Sequence, residues 1–217
     1  MTPGGAGSVG NTEKNVGLQP RAQRTRRALI EGATHEFAER GYAETTAKTI
    51  AARAGVAVGS FYEYFPNKAT LLLEIGVGYL AKTASRSLEI LEMRQLDGDL
   101  VNDAQRIFRE VASVALEGAR EAPGLHAVLR ERRRVDPNLQ SLWQRTEREV
   151  IDRIDRLLNH VGFRGDSSAT ALVLFGMIDG ALEAHIDGRM LTDGRFLDAV
   201  SDAISAVVAI GLPPAPR

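Results

Sequence analysis

GVAVGSFYEYFPNK, residues 55–68, decides how the chain is read. Two glycines, a proline and three valine or alanine steps leave room for about two turns of helix. Yet Phe61, Tyr62, Tyr64 and Phe65 crowd into five positions of a chain that is only 6% aromatic. A helix this short is unstable alone, and rings on its inner side are what can hold it to a neighbour. Phe61 and Phe65 are expected to face inward with Val56 and Ile50, leaving the small residues Ala57, Val58, Gly59 and Ser60 on the outside.

The segments upstream give this short helix a context. In RAQRTRRALIEGATHEFAERG, Ile30, Ala33, Phe37 and Ala38 recur at helical spacing, and Gly41 supplies a left-handed stop after Arg40. TTAKTIAARAG then reads as a second short helix, with Thr45 or Thr46 as N-cap and Gly55 as terminator. Two short helices joined at Gly55 and packed on a longer one form a helix-turn-helix. The second helix of such a unit enters the major groove, with its N-terminal residues nearest the base edges. Ala57 and Val58 can touch thymine methyls, Ser60 can exchange a hydrogen bond, and Gly59 lets the backbone come close. Tyr62 and Tyr64 reach sideways toward phosphates, and Lys68 adds a charge at a helix start where free N–H groups already favour an anion.

Downstream, Pro66-Asn67 breaks the third helix, and a long helix runs from Asn67 to about residue 93. Further helices are expected at about 100–120, 124–134, 137–161, 167–187 and 193–210, separated by Asp97-Gly98, Pro123-Gly124, Asp136-Pro137, Gly162 to Gly165 and Asp193-Gly194. No segment alternates with period two. The expected fold is all-α: an N-terminal three-helix DNA-binding domain over 21–70, then a larger helical ligand-binding and dimerisation domain over 71–212. Residues 1–20 read as a disordered arm and 213–217 as a polar tail.

Charge divides the same way. Residues 1–70 hold nine Lys/Arg against six Asp/Glu, and residues 71–217 hold eighteen against twenty-two. A basic head on an acidic body directs only the head toward a polyanion. The absence of cysteine excludes disulfides and thiolate chemistry. No apolar run reaches the roughly 18–20 residues that span a bilayer, and the N-terminus has no apolar core of a secretory signal, so a cytoplasmic protein without a membrane is expected. His35, His126, His160 and His185 do not fall at a metal-binding spacing, and no G-x-S-x-G elbow is present. Neither an enzyme, a cofactor nor a metal is expected.

FAERGYAETTAKTIAARAGVAVGSFYEYFPNKATLL, residues 37–72, resembles the TetR family of bacterial transcriptional regulators. The most specific parts are TT followed by IA, then AGV, then the spacing of Gly59, Tyr62, Tyr64-Phe65 and Lys68. The resemblance implies phosphate contacts from Thr46, Tyr62, Tyr64 and Lys68, with Ala57, Val58, Gly59 and Ser60 at or near the bases. Ala57 departs from the Ser or Thr that family members often carry there. Arg21, Arg24, Arg26 and Arg27 are candidates for an adjacent groove, or for a solvated basic face.

The resemblance further implies a homodimer on a palindromic double-stranded DNA operator, joined through the last two helices. Gly176 and Gly180 make a notch, and Ala199, Ala203, Ala206 and Val207 form a facing small stripe. It also implies a pocket for a small, largely apolar effector, with Phe108, Val111, Leu125, His126, Leu129, Trp143, Thr146, Phe175 and Asp179 as candidate lining. RERRRVDPN, residues 130–138, reads as a solvated helix end. A ligand-released repressor is the expected function. The alternatives are a transcriptional activator, or a helical interaction module with a vestigial helix-turn-helix.

Overall fold

A computed structural model describes residues 13–92, 96, 98–188 and 191–212. Its described residues form nine helices and no strand: α1 Glu13–Glu44, α2 Ala47–Arg53, α3 Val58–Tyr64, α4 Lys68–Glu92, α5 Leu100–Glu121, α6 Pro123–Arg132, α7 Pro137–His160, α8 Ser167–Ile186 and α9 Asp193–Gly211. They divide into two compact units that part between Ile75 and Gly76, inside α4. The sequence reading placed this division at residue 70. It also gave residues 13–20 to a disordered arm, whereas the structure starts α1 at Glu13. Residues 1–12 and the 213–217 tail lie outside the described residues.

In the first unit α1 packs on α2, and α2 on α3. Gly41 breaks α1 with φ +73° and ψ 178°. The sign of φ is the expected one, but ψ is extended rather than left-handed helical, a region that only glycine occupies without strain. Thr46, the N-cap of α2, closes a capping box with Thr49 in which each side chain takes the other's backbone N–H at 3.1 Å. Gly32 lets α1 and α2 close up: a Cβ there would meet Ile50 O and Ala54 N at 3.2 Å. Leu29, Ala33, Phe37, Ile50, Ala51, Phe61, Phe65, Leu71 and Leu72 are buried together as the core of this unit.

The second unit closes around Ile107, Phe108, Val111, Ile154, Leu158, Leu174, Ile178, Phe196 and Ile204, with α5 against α9 and α7 against α8 as its main pairings. Its helix starts follow the sequence signals. Asp99, Asp136, Asp166 and Thr192 each accept a backbone N–H from the turn they open. α8 differs from the others in being apolar on more than its inner face. It is 20 residues long, and an 18-residue window within it has a mean hydropathy of 1.4, which makes it long and apolar enough by composition to cross a membrane. Ala171, Leu174, Ile178 and Leu182 are in the core, while Leu172 and Val173 are 59% and 52% exposed.

Candidate DNA-reading surface and candidate ligand pocket

The reading surface is set by what α3 buries. Phe61 and Phe65 have at most 2% exposure, and burying a ring of this size stabilises by roughly 1.5–3 kcal/mol. Two such rings offset the intrinsic weakness of a seven-residue helix. Their burial turns the other side of α3 outward. Val58 is 40% exposed and Tyr62 60% exposed, Gly59 is exposed, and Ser60 and Tyr64 are half-buried. Ala57 is the N-cap of α3 and makes no side-chain cap bond, as expected from the missing hydroxyl. Thr46 is exposed, with its hydroxyl oxygen already accepting from Thr49 N.

Lys68 and two of the upstream arginines have partners within the chain. Lys68 does not stand free at the start of α4 for a phosphate. Its Nζ donates to the carbonyls of Tyr42 and Thr45 at 2.7 Å and of Ala43 at 3.3 Å, and lies 4.4 Å from the Tyr42 ring centre. The ammonium satisfies carbonyls that the break at Gly41 leaves without helical partners. Of the upstream arginines, Arg26 pairs with Glu74 and stacks over Phe65, and Arg27 pairs with Glu31 at 3.2 Å, whereas Arg21 and Arg24 are exposed.

In the second unit a cavity of about 120 Å³ lies among α4, α5, α6, α7 and α8. The structure brings Val111, His126, Trp143, Thr146, Phe175 and Asp179 to its wall. It does not bring Phe108, Leu125 or Leu129, which are at most 3% exposed and packed in the interior instead. α4 contributes Tyr79, Leu80, Thr83, Ala84 and Ser87, which sequence reasoning missed, as it missed Glu147 on α7. The Tyr79 hydroxyl and His126 Nδ1 share a hydrogen bond of 2.7 Å. His126 is buried, and burial together with Arg130 holds its pKa below the ordinary value. Burial pushes the Tyr79 hydroxyl up and the Glu147 and Asp179 carboxyls up, against the pull of Arg133 on both acids.

In the basic run 130–138, Glu131, Arg134 and Val135 are exposed as a solvated end would have them, but Arg130 and Arg133 are not. Arg133 is 18% exposed, donates to Glu183 at 3.0 Å, pairs with Glu147 at 3.5 Å and lies 4.5 Å over the Trp143 ring. Arg130 pairs with Asp187 at 3.1 Å and Glu183 at 3.7 Å. These ion pairs tie α6 to α7 and α8 beside the cavity.

On the outer faces of α8 and α9, Gly176, Gly180, Ala199, Ala203 and Ala206 are exposed, Val207 is half-buried and Ile210 is 88% exposed. A Cβ at Gly176 or Gly180 would meet nothing within 4 Å. Neither glycine is therefore required by packing within the chain.

Residues 29–75 match the family of bacterial regulatory proteins, tetR family. The HTH-type transcriptional regulator YuxN of Bacillus subtilis (strain 168) is 42% identical over 62 residues, which are 29% of this chain and 21% of that protein. A protein of Escherichia coli (strain K12) described as the acrEF/envCD operon repressor is 33% identical over 109 residues, 50% of this chain and 47% of that one. The matched stretches thus span between about a fifth and about half the length of these curated relatives. A crystal structure from Mesorhizobium loti, described as a TetR-family transcriptional regulator, superposes with a TM-score of 0.70 at 21% identity, covering 88% of this chain and 98% of that one. At that identity the likeness is one of fold.

Proposed function

We propose that this chain, whose residues 29–75 match the tetR family of bacterial regulatory proteins, works as a homodimeric repressor. It binds a palindromic operator in the cytoplasm and leaves it when a small, largely apolar molecule occupies the cavity lined by α4 to α8. The observation that carries the reading is the outward face of α3. Val58, Gly59 and Tyr62 are exposed on a helix held from behind by the buried rings of Phe61 and Phe65, and the surface is small at Val58 and Gly59, where bases would lie. The operon repressor among the relatives supports repression as the sign of control.

The test is a fluorescence-anisotropy titration of the protein against DNA from beside its own gene, across a salt series. Tight binding with a steep salt slope, competed only by the specific sequence, is the expected result. Sequence-blind binding would count against an operator at that locus. Tyr62→Phe should weaken binding by about the same factor on every operator variant, because a phosphate contact carries no base information. A change in base preference would remove Tyr62 from that role.

The apolar outer faces of α8 and α9 support the dimer. The exposed surfaces of Leu172, Val173 and Ile210, beside the open notch at Gly176 and Gly180, have the character of the core of a permanent interface. Ala203→Arg puts a charge on this face while leaving the buried side of α9 intact. Sedimentation should then show a monomer, and operator affinity should fall by well over about tenfold as the second half-site is lost. A variant that stays dimeric would move the interface elsewhere.

A further inference from the structure

We infer that the cavity in the second unit is built for an organic cation: an apolar, aromatic-sized body carrying a protonated amine that seats against Asp179. The inference rests on the reading of this cavity as the effector site and names the class of molecule it takes.

The charge around the cavity is already sorted. Arg133 bonds Glu183 and Glu147, and Arg130 bonds Glu183 and Asp187, so both guanidiniums are engaged by the carboxylates of α7 and α8. Neither arginine lines the cavity. Asp179 does line it, is half-buried, and has no hydrogen bond or ion pair with another described residue. His126 faces the cavity as a neutral imidazole, with its Nδ1 used by Tyr79 and its buried Nε2 without a partner. Trp143 and Phe175 supply the aromatic wall. Among the described residues of the wall, the carboxyl left without a hydrogen-bonded or ion-paired partner is that of Asp179, and it stands among apolar surfaces where a charge without a bonded partner is costly. A cation removes that cost and gains a charge-assisted hydrogen bond, and Phe175 favours it further, one face of Trp143 being taken by Arg133.

The pH dependence follows with a definite sign. Burial raises the Asp179 carboxyl above its ordinary value; Arg133 and Arg130 on α6 oppose this and Glu183 adds to it. Glu147 on α7 and the Tyr79–His126 pair from α4 and α6 complete the titratable groups around the cavity. A cation favours the ionised carboxyl, so its affinity is fully present above the raised pKa and falls as pH drops through it. A neutral ligand of the same shape should show no such fall.

Trp143 is the single tryptophan of the chain and lies on the cavity wall, so its fluorescence reports occupancy. The full-length protein is titrated with 3-phenylpropylamine, protonated at pH 7.5, and with 3-phenylpropan-1-ol and 3-phenylpropionate as neutral and anionic counterparts. The amine should bind roughly tenfold tighter than the alcohol, with the carboxylate weakest. Asp179→Asn should bring amine and alcohol together without lowering the melting temperature, and Asp179→Glu should keep the preference. Alcohol or carboxylate binding as well as the amine, or a preference surviving in Asp179→Asn, would overturn the inference while leaving the effector cavity standing. Silence from all three probes would overturn the cavity reading and this inference with it.

Discussion

Gly59→Leu is expected to yield a protein that folds at least as well as the parent and no longer holds its operator. Gly59 lies in α3, its φ is not positive, and a Cβ built there would meet nothing within 4 Å. Folding therefore does not require glycine at this position. Replacing a helical glycine should, if anything, add about 0.5–1 kcal/mol. What the larger side chain does occupy is the space in front of the helix, where the backbone must approach the base edges. Displacing the helix by even part of a side chain forfeits contacts worth about 1–3 kcal/mol per base pair, and several are lost at once. Affinity should fall by more than about a hundredfold on every operator variant, with an unchanged or raised melting temperature. Binding that survives within a few-fold would mean that α3 does not enter the groove by this face. Few substitutions separate stability from recognition so cleanly, because buried neighbours such as Phe61 serve both.

The example also shows which features of the chain the sequence makes readable. Local signals fix the helices: the break at Gly41, the capping box at Thr46, Asn67 Oδ1 accepting from Thr70 N at 2.9 Å, and Asp136 opening α7. Each lies within a few residues of what it controls, so spacing alone reveals it. The ring pattern of α3 was legible for the same reason. Lys68 was not, because its carbonyl partners lie 23 to 26 residues upstream and exist only once Gly41 has turned the chain. The arginines at 130 and 133 looked solvated because their acidic partners sit on other helices, Glu147 on α7 and Glu183 and Asp187 on α8. Tyr79 reads as one more amphipathic position on α4. Periodicity tells which side of a helix faces inward, but not where facing helices leave a gap. Phe108 and Leu129 fill such a gap, whereas Phe175 and Trp143 border one.

The largest effect on stability is expected at Arg53. Glu36 on α1 has only 3% of its side chain exposed, yet it carries a carboxylate. Arg53 Nε donates to its Oε1 at 2.7 Å while the same guanidinium also bonds Glu39, and Arg40 approaches the other oxygen at 3.3 Å. Arg53 thereby fastens α2 to α1, and through α2 it supports α3. Arg53→Met keeps the length of the side chain and removes the charge. Glu36 is left with the largely exposed Arg40 alone, and a buried carboxylate that loses its closest partner destabilises the fold. The exposed pair Arg27–Glu31, with 80% and 62% of its side chains in solvent, supplies the control. Arg27→Ala should cost no more than about 0.5 kcal/mol. Urea melts followed by far-ultraviolet circular dichroism compare the two, since Trp143 lies in the second unit. Adding Glu36→Leu to Arg53→Met should recover much of the loss, because the penalty belongs to the stranded carboxylate rather than to the missing bond. If Arg53→Met costs as little as Arg27→Ala, the packing of Ile50 and Ala51 holds α2 in place and the ion pair contributes little. If the double variant stays as unstable as the single one, the loss comes from the interactions of Arg53 itself, and its contact with Glu39 carries more of the α1–α2 joint than burial of Glu36 suggests.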